Sequence, residues 1–189
     1  MPIKFEPWEV LDRQLLLSAK PWFEIWCEEV RLPDGRIIPD YYKFTVPDSS
    51  VVVAMTPDRK ILVARQYKHG VGTTMWVLPA GFLNKGEPPL HCAQRELLEE
   101  TGYQAEEWID LGNYIRDPSR GGGSIYVFLA LDAHKVSEPN SGDLEDLQVQ
   151  LLSMDDLLVA VRKNQIKGLG FVVAILLAKL YLEHQNRNS

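Results

Sequence analysis

The sequence is poor in cysteine and has no long hydrophobic run. Its 189 residues include two cysteines, Cys27 and Cys92, which are too few for a disulfide framework or a cysteine-rich metal site. The longest apolar run, residues 171–178, is far shorter than the ~20 residues that span a bilayer. The N-terminal residues also lack the apolar segment of a secretory signal. We therefore expect a reduced, cytoplasmic protein that does not enter a membrane.

Positive charge is scarce as well. The 20 Lys and Arg residues face 26 Asp and Glu residues, a net charge of −6. This balance excludes the basic surplus that broad DNA or RNA binding needs. A phosphate-containing substrate is still compatible with it, because a bound divalent cation reverses the local sign of the field. The length suits one well-packed domain with some decoration.

Turn signals divide much of the chain into strands. Residues 22–31 and 36–45 flank Asp34-Gly35 and predict a β-hairpin. Residues 50–55 and 60–65 flank Pro57-Asp58 and predict a second hairpin. Further strands are predicted at 76–78, 108–115 and 124–131, and helices at 154–162, after Ser153, and at 170–184. Gly121-Gly122-Gly123 predicts a flexible loop near the substrate entrance. This order, mostly strands with a few helices, predicts an α+β fold or an α/β/α sandwich.

The strongest helix signal follows Pro88 and Pro89 and stops at Gly102. Within it, three glutamates stand at i, i+3 and i+4, so their carboxylates leave one side of the helix. Like charges at this spacing repel each other, and a hard divalent cation relieves the repulsion. The alternative is an ordinary solvated helix face. The spacing around the helix favours the metal site, since seven positions match G-x5-E-x7-R-E-U-x-E-E-x-G-U: Gly81, Glu87, Arg95, Glu96, Glu99, Glu100 and Gly102.

With these 23 residues the chain resembles the Nudix hydrolases. The resemblance implies an α+β fold, a Nudix-type α/β/α sandwich with a mixed β-sheet. It also implies a diphosphate substrate held through Mg²⁺, with Mn²⁺ as the alternative ion. By position it makes Glu96, Glu99, Glu100 and the backbone carbonyl of Ala80 the metal ligands. Glu99 and Arg95 then have catalytic roles, and Gly81, Glu87 and Gly102 orient the motif.

Residues outside the motif resemble the ADP-ribose pyrophosphatase (ADP-sugar) branch. These are Arg65-Gln66-Tyr67-Lys68, Leu78-Pro79-Ala80-Gly81 and Asp117-Pro118, with Pro118 lying 16 residues beyond Gly102 as in that branch. Arg65 is expected to pair with a substrate phosphate, and the alternative is an ordinary surface arginine at the end of a strand. The branch commonly carries Glu at the position of Val77, and this departure leaves the exact substrate open.

The resemblance also assigns roles to the two ends of the chain. Residues 1–48 are expected to form antiparallel β-structure that builds a homodimer and binds the base, with Trp22 and Tyr41, or its neighbour Tyr42, stacking on it. The alternative for these aromatics is packing within an N-terminal sheet. Residues 49–189 form the hydrolase domain. Its general base is expected at Glu145, with Asp143 and Asp146 as alternatives; a solvated acidic turn is the competing interpretation.

These features predict an enzyme that hydrolyses a nucleoside diphosphate sugar, ADP-ribose first, to a nucleoside monophosphate and a sugar phosphate. The alternatives are GDP-mannose, dinucleoside polyphosphates or other nucleotide diphosphates. A non-catalytic nucleotide sensor of the same family is a further alternative, but such modules usually lose carboxylates of the motif, and here all are present. No nucleic-acid or membrane partner is expected.

Overall fold

The structure is a computed structural model that describes residues 6–140 and 147–188. Within those residues it contains the following elements: β1 (Glu9–Ala19), β2 (Phe23–Arg31), β3 (Ile37–Thr45), β4 (Ser49–Ala54), β5 (Ile61–Lys68), β6 (Thr73–Val77), β7 (Ala80–Phe82), α1 (Pro89–Thr101), β8 (Tyr103–Gln104), β9 (Glu107–Asp117), β10 (Gly121–Leu131), β11 (His134–Lys135), β12 (Gln148–Leu152), α2 (Met154–Arg162) and α3 (Leu169–Asn188). None of the described helices is both long and apolar enough to cross a membrane.

The chain divides into two compact units. Unit 1 comprises Met1–Pro47 and Ile115–Ser124, and unit 2 comprises Asp48–Tyr114 and Ile125–Ser189. The predicted division into a dimerisation region and a hydrolase domain at residue 48 is a statement about function and stays a prediction.

Unit 1 is built on an antiparallel arrangement of β1, β2 and β3. The β2–β3 hairpin around Asp34-Gly35 confirms the predicted one. Strand β1 has no counterpart among the predictions, because its sequence EVLDRQLLLSA does not alternate and most of its side chains are exposed. The first residue of β10, Gly121, lies beside Phe44 of β3 in parallel register. The N-terminal antiparallel β-structure is therefore larger than predicted.

The glycine run at residues 121–123 begins a strand, so the prediction of a flexible loop there is wrong. All three glycines have positive φ, and a Cβ at Gly121 or Gly122 would overlap the backbone or ring of Phe44. Close approach to β3 is thus the reason for glycine at these positions.

Unit 2 forms an α/β/α sandwich. In β4 every residue is buried, and alternate side chains point to opposite layers. Val51 and Val53 pack in a cluster with α2 and α3, whereas Val52 and Ala54 pack in a cluster with Ala93 and Leu97 of α1. Strand β4 pairs in parallel with β10 and antiparallel with β7, so the sheet is mixed. The predicted α+β fold is confirmed.

The predicted hairpin between residues 50–55 and 60–65 forms only at its turn, where the N–H of Thr56 donates to the carbonyl of Lys60 at 2.8 Å. Both strands form, but among the described residues β4 and β5 meet in a single bridge, Met55 to Ile61. Strand β5 instead pairs with β6 and β12 in a separate antiparallel sheet. The buried residues 51–54 and 61–64 are apolar on both faces of their strands. The pairing of such strands is determined by burial in the core rather than by the nearest turn signal.

The glycine that ends α1 allows a test of how closely the rest of the chain packs against this helix. Gly102 has φ 75°, and a Cβ there would overlap the carbonyl oxygen of Ser137, whereas Gly86 has φ 79° and open space around it. We expect Gly86→Ala to lower the free energy of unfolding by about 1–2 kcal/mol through backbone strain. Gly102→Ala should lower it by a further ~1–3 kcal/mol through the clash. Urea unfolding of both variants measures the difference, and equal losses would contradict the packing described.

Candidate active site

Helix α1 presents the acidic motif from a fixed position. Pro89 occupies its first turn, and Gly102 ends it in the left-handed conformation, with its N–H donating to the carbonyl of Leu98 at 2.8 Å. Ala93 and Leu97 are fully buried beneath it. The predicted helix is confirmed. Its polar side faces the loop that precedes it.

Arg95 is the centre of the motif. Its Nε and Nη2 donate to the two carboxylate oxygens of Glu87 at 2.9 and 3.0 Å, a bidentate pair. Its Nη1 donates to Glu96 at 2.5 Å and to Glu99 at 3.1 Å, and Nη2 also reaches the carbonyl of Phe82 at 3.2 Å. One guanidinium therefore joins the loop before α1 to two carboxylates on the helix.

These hydrogen bonds shift the pKa values of Glu87 and Arg95 in the directions that favour their charged forms. The hydrogen bond from Arg95 holds the pKa of Glu87 below its usual range, helped by the N–H of Asn84, although partial burial opposes the shift. The hydrogen bonds to Glu87 and Glu96 raise the pKa of Arg95. Burial raises the pKa of the nearby Cys92 thiol to about 11, so this thiol is protonated at neutral pH and is not a nucleophile.

Glu100 and Gly81 connect the helix to strand β7. Glu100 is 7% exposed, and its Oε2 accepts a hydrogen bond from the N–H of Ala80 at 3.0 Å. A Cβ on Gly81 would overlap the carboxylate of Glu96. Glycine at position 81 therefore leaves a space that the Glu96 carboxylate fills.

The predicted metal ligands lie close in sequence but do not converge on one point. Glu96 and Glu99 turn to Arg95, and Glu100 turns to Ala80. Among the described residues no group of three or more His, Cys, Asp or Glu side chains is arranged to hold a metal ion. The donors are nevertheless all oxygens, which suit a hard cation, and the Glu99 side chain is 42% exposed. The ligand assignments stay predictions.

The predicted substrate contacts fall in different parts of the molecule. Arg65 is exposed on β5 of unit 2. In unit 1, Trp22 is 64% exposed in the turn before β2. Tyr41 and Pro118 of unit 1 line the same cavity, and the Tyr41 hydroxyl donates to the carbonyl of Ser119. The predicted base Glu145 and its alternatives Asp143 and Asp146 lie outside the described residues.

That cavity has a volume of about 390 Å³, and Trp8 and Glu28 are among the lining residues that the sequence signals do not point to. Trp8 precedes β1, a strand that was not predicted, and Glu28 lies within β2. No local pattern marks either residue. The cross-strand pairing of Arg13 with Glu28 would have pointed to Glu28, but it requires β1 to be known.

Comparison with known proteins places the fold and the motif in one family. The model of the NUDIX domain matches residues 46–169. An ADP-ribose pyrophosphatase of Bacillus subtilis (strain 168) is 30% identical over 160 residues, covering 84% of this chain and 85% of its own. The chain belongs to the Nudix hydrolase family. With the Arg95-centred motif intact, the predicted pyrophosphohydrolase class is confirmed.

Other relatives of this Nudix hydrolase carry several names. A methanol dehydrogenase activator of Bacillus methanolicus is 31% identical over 154 residues, covering 80% of this chain and 82% of its own. Further relatives are named ADP-ribose pyrophosphatase and ADP-sugar pyrophosphatase, which confirms the resemblance to that branch. A solved structure entitled as that of an ADP compounds hydrolase has a TM-score of 0.87 and 18% identity, covering 98% of this chain and 99% of its own. At 18% sequence identity, this likeness shows the fold alone.

Gly81 offers a direct test of the site geometry. We expect Gly81→Ala to displace the Glu96 carboxylate and to lower kcat/KM for diphosphate hydrolysis by about 100-fold. Gly70→Ala is the matched control, because no atom lies within 4 Å of a Cβ there and its φ is ordinary. Steady-state kinetics of both variants, with melting temperatures to verify folding, measure the effect. Full activity in Gly81→Ala would show that the position of Glu96 is unimportant.

Proposed function

We propose that this Nudix hydrolase cleaves the diphosphate bond of a nucleoside diphosphate sugar, with ADP-ribose as the first candidate, in the cytoplasm. The observation that carries the proposal is the intact motif held by Arg95, which joins Glu87 to Glu96 and Glu99. The ADP-ribose pyrophosphatase of Bacillus subtilis, alike over most of both chains, supports the choice of substrate.

The proposed cofactor is Mg²⁺, with Mn²⁺ as the alternative, held by Glu96, Glu99, Glu100 and the backbone carbonyl of Ala80. When bound, the ion neutralises diphosphate charge and lowers the pKa of a water molecule. The oxygen-only donor set and the space left by Gly81 for the Glu96 carboxylate support this assignment. Arg95 holds Glu96 and Glu99 together, and a bound ion would compete with it for these carboxylates.

The proposed reaction adds water across one P–O bond. The water oxygen bonds to phosphorus, the bridging P–O bond breaks, and the products are a nucleoside monophosphate and a sugar phosphate. A carboxylate takes the proton from the water. Glu99 is exposed enough to face the substrate, and Glu145, with Asp143 and Asp146 as alternatives, stays the predicted base. Arg65, exposed on β5, is proposed to bind a phosphate.

A substrate panel with Glu99→Gln tests this function. We expect Mg²⁺-dependent release of AMP and ribose 5-phosphate from ADP-ribose, and a loss of at least about 100-fold in Glu99→Gln because an anionic oxygen near the diphosphate is removed. Glu106→Gln, which neutralises an exposed glutamate of unit 2, should retain full activity. Chromatography of the products resolves the panel.

The outcome is decided by which compounds are cut. If ADP-ribose, ADP-glucose and GDP-mannose stay intact while nucleoside triphosphates are cleaved, the sugar-nucleotide assignment fails. Preferred cleavage of GDP-mannose or of dinucleoside polyphosphates would replace ADP-ribose as the substrate and leave the assignment to the Nudix hydrolases unchanged. Equal activity of Glu99→Gln and the wild type would remove Glu99 from the catalytic residues.

The same proposal includes a homodimer formed through the N-terminal strands. Strand β1 pairs with β2 on one side, and no described strand pairs with its other edge. Leu15, Leu16 and Leu17 on β1 are each more than 40% exposed. An apolar edge strand that remained in water would invite non-specific pairing, and a second copy of the chain covers it.

Light scattering after size exclusion tests the dimer. We expect the wild type to elute with twice the chain mass of 21.5 kDa. Leu16→Lys should shift it to the monomer, because a charge would be buried in the interface. Leu180→Lys is the control, since Leu180 is 62% exposed on α3 and far along the chain from β1. A monomeric wild type, or a fully dimeric Leu16→Lys, would exclude this interface.

A further inference from the structure

Gln66 is a buried polar residue of β5 whose amide oxygen has no partner. The residue is 3% exposed, and its Oε1 accepts no hydrogen bond from the part of the chain that the structure describes. Two of its neighbours on the same face of the sheet are apolar, since Ala64 lies two residues earlier and Met75 lies opposite on β6. Burying an amide oxygen without a donor is costly, so this group calls for a physical explanation.

The direction of its strand points Gln66 towards the layer of α1. Side chains alternate along β5, so Leu62 and Gln66 share one face while Val63 points to the other. Leu62 packs in the cluster that contains Ala93 of α1, whereas Val63 packs in the cluster with α2 and α3. Gln66 therefore faces the layer that carries the acidic motif.

Strand β6 connects the position of Gln66 with the start of the motif. Met75, which lies opposite Gln66, precedes Ala80 by five residues, and the N–H of Ala80 donates to Glu100. At about 3.3 Å per residue, this path is roughly 17 Å long. A nucleotide sugar is an elongated molecule of comparable length, so its diphosphate can lie at α1 while one of its sugars reaches Gln66.

The unpaired oxygen makes Gln66 selective for a hydrogen-bond donor. A ligand that donates to Oε1 adds a bond without displacing one that the described residues already make. Diphosphate oxygens only accept at neutral pH, and the base is predicted to bind at the N-terminal strands, so the sugar hydroxyls are the donors that remain. The terminal torsion of a glutamine is soft, and the amide can therefore turn towards a ligand without movement of the strand.

We propose that Gln66 binds a sugar hydroxyl of the substrate, with the hydroxyl donating to Oε1. The identity of the ligand rests on the proposed function, whereas the unpaired oxygen and the direction of the side chain do not. Gln66 contributes affinity and selects the sugar, and it neither breaks a bond nor moves a proton. A site that accepts from a hydroxyl discriminates against a ligand that lacks it, because the buried acceptor is then left unpaired.

The substitution Gln66→Met separates binding from stability. Methionine has a similar length but no amide, so we expect a melting temperature equal to or above that of the wild type, because an unpaired buried group is removed. The same variant should bind ADP-ribose about tenfold more weakly in calorimetric titration, with a chelator present to prevent turnover. A lowered melting temperature would make Gln66 a structural residue, and an affinity equal to that of the wild type would remove it from the site. Either result would overturn the proposal.

Gln148→Met is the matched control for this experiment. Gln148 is an exposed glutamine of the same sheet, and its pairing with Arg65 places it on the face opposite to that of Gln66. We expect this variant to keep the wild-type affinity for ADP-ribose. A loss equal to that of Gln66→Met would show that the effect does not depend on the face, and would contradict the proposal.

Titration with the two halves of ADP-ribose locates the hydroxyl. Weaker binding of AMP alone by Gln66→Met assigns the ribose of the nucleoside, and weaker binding of ribose 5-phosphate alone assigns the terminal sugar. If neither half distinguishes Gln66→Met from the wild type, Gln66 does not contact a sugar and the proposal fails.

Steady-state kinetics keep this inference distinct from the proposed function. Because the hydrogen bond is made in the bound substrate and in the transition state alike, Gln66→Met should raise KM for ADP-ribose about tenfold and leave kcat nearly unchanged. Hydrolysis of ADP-ribose with the same KM in both proteins would refute the inference alone. Weaker ADP-ribose binding by Gln66→Met, without hydrolysis of any nucleotide sugar by the wild type, would refute the proposed function and leave the inference intact.

Discussion

The bidentate pair between Arg95 and Glu87 is the interaction on which the active site depends. It anchors the loop before α1 to the helix, and the remaining N–H groups of Arg95 reach Glu96 and Glu99. Three carboxylates on one helix side repel each other, and in this structure the guanidinium supplies the opposing charge. A lysine could not do so, because it lacks the planar fork that serves several carboxylates at once.

This arrangement changes the physical account of the acidic cluster. The spacing of the glutamates alone predicts that a dication must neutralise them, yet Arg95 neutralises two, and Glu100 is satisfied by the N–H of Ala80. A metal ion bound by these carboxylates would have to compete with the guanidinium for them. Such an exchange of partners would leave no buried carboxylate with an unpaired charge.

The sequence predicted most reliably what local chemistry decides. Proline at the start and glycine at the stop fixed α1, and Ser153, whose side chain accepts from the N–H of Asp156, fixed α2 to the residue. The pairing of Arg95 with Glu99 also follows from local chemistry, because residues at i and i+4 share one side of a helix. The pairing of β4 with β10 instead joins strands far apart in the chain, and a turn signal at Pro57-Asp58 carries no information about it.

The same limit explains why the sequence signals point to Trp22 and not to Trp8, which lines the cavity of unit 1. Position relative to a motif points to Trp22, but the cavity is assembled from β1, β2, β3 and a turn whose Pro118 lies more than 100 residues from Trp8. Glu28 likewise reads as one acidic residue of an exposed strand until Arg13 and Lys43 are brought to the same oxygen. The two cations offset the cost of burying the Glu28 carboxylate, and this compensation depends on strand pairing that no local pattern encodes.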